Sequence, residues 1–147
     1  MKVGDVASEF AIRNLVARYS EAVTRRNEAR FAETWAEDAQ WHIIGNHATG
    51  RDDIVALWKK LIAGFPFIAQ LLHGGHIEVD GDTARGGWTI TEVGQGVDGS
   101  ALYSLGLYRD EYCCGDGVWR FANRTFEALY MGPPDLGATF NAATEEE

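Results

Sequence analysis

The chain has 147 residues, 46% of them hydrophobic and 24% charged, the make-up of one globular domain able to bury its own core. Thirteen Lys and Arg against 22 Asp and Glu leave a net charge of −9. That excludes nucleic acid or an anionic membrane face as the main partner, because neutralising phosphates needs clustered positive charge.

Residues 7–26 read as an amphipathic helix, with Ile12, Leu15, Val16, Tyr19 and Val23 at helical spacing and Ser8 as its N-cap. A second helix over 28–36 buries Phe31, Ala32 and Trp35, and Asn27 either ends the first helix or caps the second. The period then changes, and residues 39–44 read as a strand followed by a loop at 45–50. Asp52 caps a third helix with Ile54, Leu57, Trp58, Leu61 and Ile62 on one face, and Gly64 and Pro66 stop it. Four long strands follow, near 70–79, 83–94, 101–113 and 118–130, separated by turns rich in Gly and Asp. This order predicts an α+β fold, a cone-shaped curved antiparallel sheet with three N-terminal helices over its concave face. One domain spans 1–131, and 132–147 is a tail, either an arm over a neighbour or a frayed end.

No apolar run approaches the roughly 20 residues of a membrane span, and no secretory leader opens the chain, so the expected compartment is the cytoplasm. Cys113 and Cys114 are adjacent and read as reduced thiols on opposite faces of a strand. His73 and His76 have poor ligand spacing, and no zinc, P-loop, dinucleotide or nucleophile-elbow motif occurs, so neither metal nor cofactor is expected.

Strand alternation sorts the polar groups by face. Trp88, Ile90 and Glu92 share one face of their strand, and Thr83, Arg85, Thr89 and Thr91 take the other, solvated one. Ser104, Gly106, Tyr108 and Tyr112 fall together, with Gly106 leaving room for a ligand or another chain. Arg124 lies between Ala122 and Phe126, opposite in face to Trp119 and Phe121. It needs an acid, water or a ligand, with Glu111 or Glu127 in reach as a surface partner.

Several segments carry a resemblance to the nuclear transport factor 2-like superfamily, in its SnoaL-like branch. They are Ile12-Arg13-Asn14-Leu15-Val16-Ala17-Arg18-Tyr19, Phe31-Ala32-Glu33-Thr34-Trp35 through Trp41, Gly50-Arg51-Asp52-Asp53-Ile54, His73, Val79-Asp80-Gly81-Asp82 and Asp116-Gly117-Val118-Trp119-Arg120-Phe121. Within that branch the chain resembles the hexachlorocyclohexane dehydrochlorinases and, more distantly, the scytalone dehydratases. The resemblance implies cofactor-free elimination from a small cyclic molecule, with His73 as proton acceptor and Arg124 beside the departing anion. Trp41 falls on a pocket tryptophan. The family's aspartate, which orients the histidine, falls on Thr24, a hydroxyl without charge. Glu21 and Glu92 are the nearest acids that could substitute.

Two functions follow. One is a cofactor-free lyase or isomerase using His73, Thr24 and Arg124, with Tyr19, Trp41, Trp88, Ile90, Glu92, Ser104 and Tyr108 shaping a pocket for a small apolar molecule. The alternative is a non-catalytic binding or scaffold protein, favoured by Thr24. A ketosteroid-isomerase type of site ranks below both, because no matched acid pair is evident. Trp119, Phe121 and the Leu129-Tyr130-Met131 end read as apolar surface covered in a homodimer or homotrimer.

Overall fold

The computed structural model describes residues 3–145. The elements, in order, are α1 (Val3–Arg25), α2 (Glu28–Glu33), β1 (Trp35–Ile43), β2 (Asn46–Thr49), α3 (Arg51–Ile62), β3 (Phe67–Asp80), β4 (Thr83–Gln95), β5 (Ala101–Gly115) and β6 (Val118–Gly132). The expected α+β architecture is present. One six-stranded sheet, in the order β2-β1-β6-β5-β4-β3, carries the helices on one face. All neighbours are antiparallel except β1 and β6.

Helix α1 starts earlier than its periodicity indicates, so Ser8 lies inside it rather than capping it. Its stripe of Ile12, Leu15, Val16, Tyr19, Ala22 and Val23 is buried. Arg26 ends the helix in the left-handed region, at φ 55°. Its guanidinium then donates to the carbonyls of Phe65 and Ile62, 2.7 and 2.9 Å away. One side chain thus binds two carbonyls at and just beyond the end of α3 and ties that end to α1.

Asn27 caps α2, its side chain accepting from the Arg30 amide at 3.0 Å. Gly50, not Asp52, caps α3, and Asp52 and Asp53 fill the first turn, where the helix dipole favours negative charge. The expected loop at 45–50 contains the short strand β2, which closes a hairpin with β1 through Ile44 and Gly45, both at positive φ. The core is aromatic. Phe31 stacks on Trp58 with ring centres 4.1 Å apart, and Tyr19 meets Phe31, Trp35 and Phe121.

Among the described residues, two of the sheet's four register shifts bear on the inward-facing side chains. Leu72 pairs with Ile90 and Gly75 with Trp88, so His73 and Gly74 together face the single residue Thr89. Before this bulge Ile68 and Gln70 point inward; after it Ile77 and Val79 pack on the core. A second shift, between Glu111 and Tyr112, lets Phe121 and Arg124 both point inward, contrary to strict alternation.

The segment after Gly132 folds back on its own strand. Asn141 donates to the Leu129 carbonyl, and the Tyr130 ring meets Phe140 at a tilt while its hydroxyl donates to the Pro133 carbonyl. Trp119, Phe121 and Tyr130 are buried within the single chain, so of the apolar surface expected there these three are already covered, while Met131 is exposed.

Candidate functional site

Between α1, α3 and the concave face of the sheet lies a cavity of about 110 Å³. Its wall is mostly carbon, from Val23, Trp41, Ile43, Trp58, Ile90, Phe126 and their neighbours. Helix α1 sends in Tyr19, β3 Gln70, β4 Glu92, and β5 Ser104 and Tyr108. An apolar cleft holding a few convergent polar groups is the common form of a small-molecule site.

The polar groups are linked. Gln70 Nε2 donates to Glu92 Oε2 at 2.8 Å and to the Tyr108 hydroxyl at 3.3 Å. Desolvation pushes the Glu92 carboxyl above the usual carboxylate range, and the bond from Gln70 only partly offsets it. Burial also raises the Tyr19 and Tyr108 hydroxyls, so both stay protonated at neutral pH and can donate. Gln70 itself is held by its backbone, whose N–H donates to Thr24 Oγ1 at 2.9 Å.

Arg124 lies beneath this group. It is fully buried, with its guanidinium carbon 3.5 Å from the Tyr108 ring centre and 4.3 Å from that of Tyr19. Arg124 Nε donates to Asp110 Oδ1 at 2.9 Å, and both side chains are shielded from solvent. Asp110 also accepts from the Tyr112 hydroxyl at 2.7 Å, which in turn accepts from Trp88 Nε1 at 2.9 Å. Burial opposes the Arg124 charge, but Asp110 and the surrounding phenols together hold it firmly protonated.

Of the residues singled out in the sequence, Tyr19, Trp41, Ile90, Glu92, Ser104 and Tyr108 line the cavity. Trp88, His73, Thr24 and Arg124 do not line it. Trp88 is on the inner face but turned to Tyr112, beside Gly75. The bulge carries His73 to the outer face, where it is exposed and its Nε2 lies 2.7 Å from Thr91 Oγ1. Thr91 is consequently buried rather than solvated. Thr24 holds the β3 backbone at Gln70, with no contact to His73. Arg124 pairs with Asp110 inside, not with Glu111 or Glu127 outside. The space above Gly106 is filled by the Phe126 ring.

Two residues central to the arrangement were not singled out. Asp110 shares strand parity with Tyr108 and Tyr112, a signal the sequence carries. Gln70 is brought opposite Glu92 by the bulge, which alternation alone does not reveal. Among the described residues, no group of three or more His, Cys, Asp or Glu is disposed to hold a metal ion, and no helix is long and apolar enough to cross a membrane.

A family model described as a SnoaL-like domain matches residues 5–125. The chain belongs to the SnoaL-like family. Among its relatives, the gamma-hexachlorocyclohexane dehydrochlorinase of Sphingobium indicum is 30% identical over 135 residues, 87% of this chain and 85% of that protein. The crystal structure of the dehydrochlorinase LinA superposes with a TM-score of 0.83 at 28% identity, over 95% of this chain and 97% of that one. A putative scytalone dehydratase from Novosphingobium aromaticivorans shares the fold, with a TM-score of 0.85 at 19% identity over 99% and 100% of the two chains.

Proposed function

We propose that this SnoaL-like protein is a cofactor-free lyase or isomerase acting on a small, mostly apolar, cyclic molecule held in the concave-face cavity. The observation that carries this is a carboxyl of raised pKa, Glu92, one amide away from a tyrosine hydroxyl in an otherwise apolar cleft. The similarity to dehydrochlorinases supports the class of reaction.

Glu92, ionised, takes a proton from a substrate carbon. In elimination, the C–H electron pair forms the new double bond, and the leaving group departs with its own bonding pair. In isomerisation, the pair shifts through the substrate and Glu92 returns the proton to another carbon. Tyr108 donates a hydrogen bond to the oxygen or departing group where negative charge gathers, and the Arg124 guanidinium beneath its ring supplies positive potential in a dry environment. Thr24 positions Gln70, and Gln70 positions Glu92. Trp41 and Ile90 shape the apolar wall, and Ser104 adds a second hydroxyl.

This reading moves the proton acceptor from His73 to Glu92. A paired assay separates them. Against a library of small cyclic substrates, Glu92→Gln is expected to lower turnover by about 10²–10⁴-fold. His73→Ala is expected to stay within about threefold of the parent, and the reverse pattern would return the role to His73.

The second reading, a binding protein without catalysis, draws on Thr24, which supplies no charge where the related dyad has an aspartate. Ligand binding with no turnover of any bound molecule would establish it. In either case we infer a homodimer or homotrimer. Leu71 and Val93 stand exposed near one another on the outer face of β3 and β4. Light scattering at micromolar concentration should give a multiple of the monomer mass.

A further inference from the structure

Among the described residues, three buried polar atoms of cavity-lining side chains make no hydrogen bond within the chain, Trp41 Nε1, Trp58 Nε1 and Gln70 Oε1, and only Gln70 Oε1 is an acceptor. Gln70 Oε1 is buried and makes no hydrogen bond to any other group among the described residues. With Glu92 ionised, as its role as proton acceptor requires, the amide cannot turn over to escape this. Its Nε2 faces a carboxylate oxygen and a tyrosine hydroxyl, and reversing it would set the amide carbonyl against Glu92 Oε2. The backbone cannot move away either, because the Gln70 N–H is fixed on Thr24 Oγ1. A buried carbonyl with no donor costs roughly 1–3 kcal/mol. In the free protein water can serve it, but a ligand that fills the cavity displaces that water and must replace its hydrogen bond or bind weakly.

We propose that the ligand of this cavity carries a hydroxyl group that donates to Gln70 Oε1, which makes the substrate class hydroxylated ring compounds rather than bare or halogenated hydrocarbons. The inference rests on the reading of this cavity as a small-molecule site. The neighbouring groups agree with it. A hydroxyl is both donor and acceptor. One that donates to Gln70 lies within reach of the Tyr108 hydroxyl, which is itself 3.3 Å from the same amide and stays protonated at neutral pH. A chlorine or methyl substituent in that place would satisfy neither Gln70 Oε1 nor Glu92. Sites built to hydrogen-bond a substrate hydroxyl reject analogues lacking it far more strongly than apolar pockets reject a change of size.

The test uses three probes of nearly equal size: phenol, toluene and chlorobenzene. Their binding to the full chain is measured by ligand-observed NMR titration at neutral pH. Phenol is the best hydrated of the three, so an apolar cavity without a partner for its hydroxyl would bind it most weakly. The expected result is phenol binding at least tenfold more tightly than toluene or chlorobenzene. In Gln70→Met, of similar length but without the amide, that preference should fall below threefold while toluene affinity is kept, which also reports that the cavity is intact. Equal affinities, or a preference for toluene or chlorobenzene, would overturn the hydroxyl inference and leave the small-molecule reading standing. A phenol preference unchanged in Gln70→Met would overturn the role of Gln70 alone. Absence of binding by all three probes would overturn both the inference and the reading beneath it.

Discussion

Glu92 and the Arg124–Asp110 pair are charged groups in places where the fold would otherwise bury carbon, and the protein treats them differently. Asp110 receives Arg124 and Tyr112, which partly offset the burial that raises its own carboxyl, while Arg124 Nη1 and Nη2 make no hydrogen bond among the described residues. Glu92 receives only an amide, and its carboxyl stays above the ordinary range. Its neutral form is therefore the one the fold prefers. The stability tied to that proton is complete below the ordinary glutamate pKa and is lost as pH rises through the raised one. Glu92→Gln removes that loss. Thermal melts should show the variant and parent alike near about pH 4 and the variant more stable at pH 7, even as turnover falls. A variant less stable at pH 7 would show that Glu92 is a structural anion instead. The pair responds in the opposite way. Asp110→Ala leaves the Arg124 charge buried without its acid and should cost about 3–5 kcal/mol in urea unfolding. Adding Arg124→Met to it should recover much of the loss, because the lone charge is what destabilises.

At the scale of elements, the position of a residue within a strand was easier to foresee than the face it takes. Alternation places Ile90, Glu92, Ser104 and Tyr108 on the cavity side, and the structure agrees because that part of β4 and β5 pairs without interruption. It fails for the relation of Phe121 to Arg124, where a bulge inserts one residue and reverses every side chain beyond it, and a second bulge sits at His73, which the family resemblance and not alternation brought into the site. Nothing in the letters Leu72-His73-Gly74-Gly75 fixes which residue is the extra one; pairing with β4 decides it. The β1–β2 hairpin shows a related conflict. Ile44 sits at φ 47°, a region costly for a β-branched side chain, while half exposed at the cavity wall. Since little burial is at stake, Ile44→Gly should stabilise the protein by about 1 kcal/mol in urea unfolding. Destabilisation of that size would mean that the Ile44 side chain contributes more through packing than its backbone costs.

For the whole molecule, the order of helices and long strands was legible because each carries its own period and is bounded by Gly-rich turns. What covers what was not legible, since it depends on contacts between distant segments. The tail illustrates this. Strand β6 pairs with β1 only as far as Phe126, which leaves one edge of its remaining residues without a strand beside it. The chain after Gly132 returns along that edge. Asn141 bonds to the Leu129 carbonyl, Thr144 donates its backbone N–H to Glu127, and Phe140 lies on Tyr130. An uncovered edge beside an aromatic ring invites pairing with another chain. Ending the chain after Gly132 therefore removes a few hydrogen bonds and one aromatic contact, worth about 2 kcal/mol together. The melting temperature should fall by roughly 6 °C. The shortened protein should also show concentration-dependent growth in mass by light scattering, because the bared edge and Tyr130 become available together. An unchanged melt with unchanged mass would mean that the returning segment rests on β6 without stabilising it.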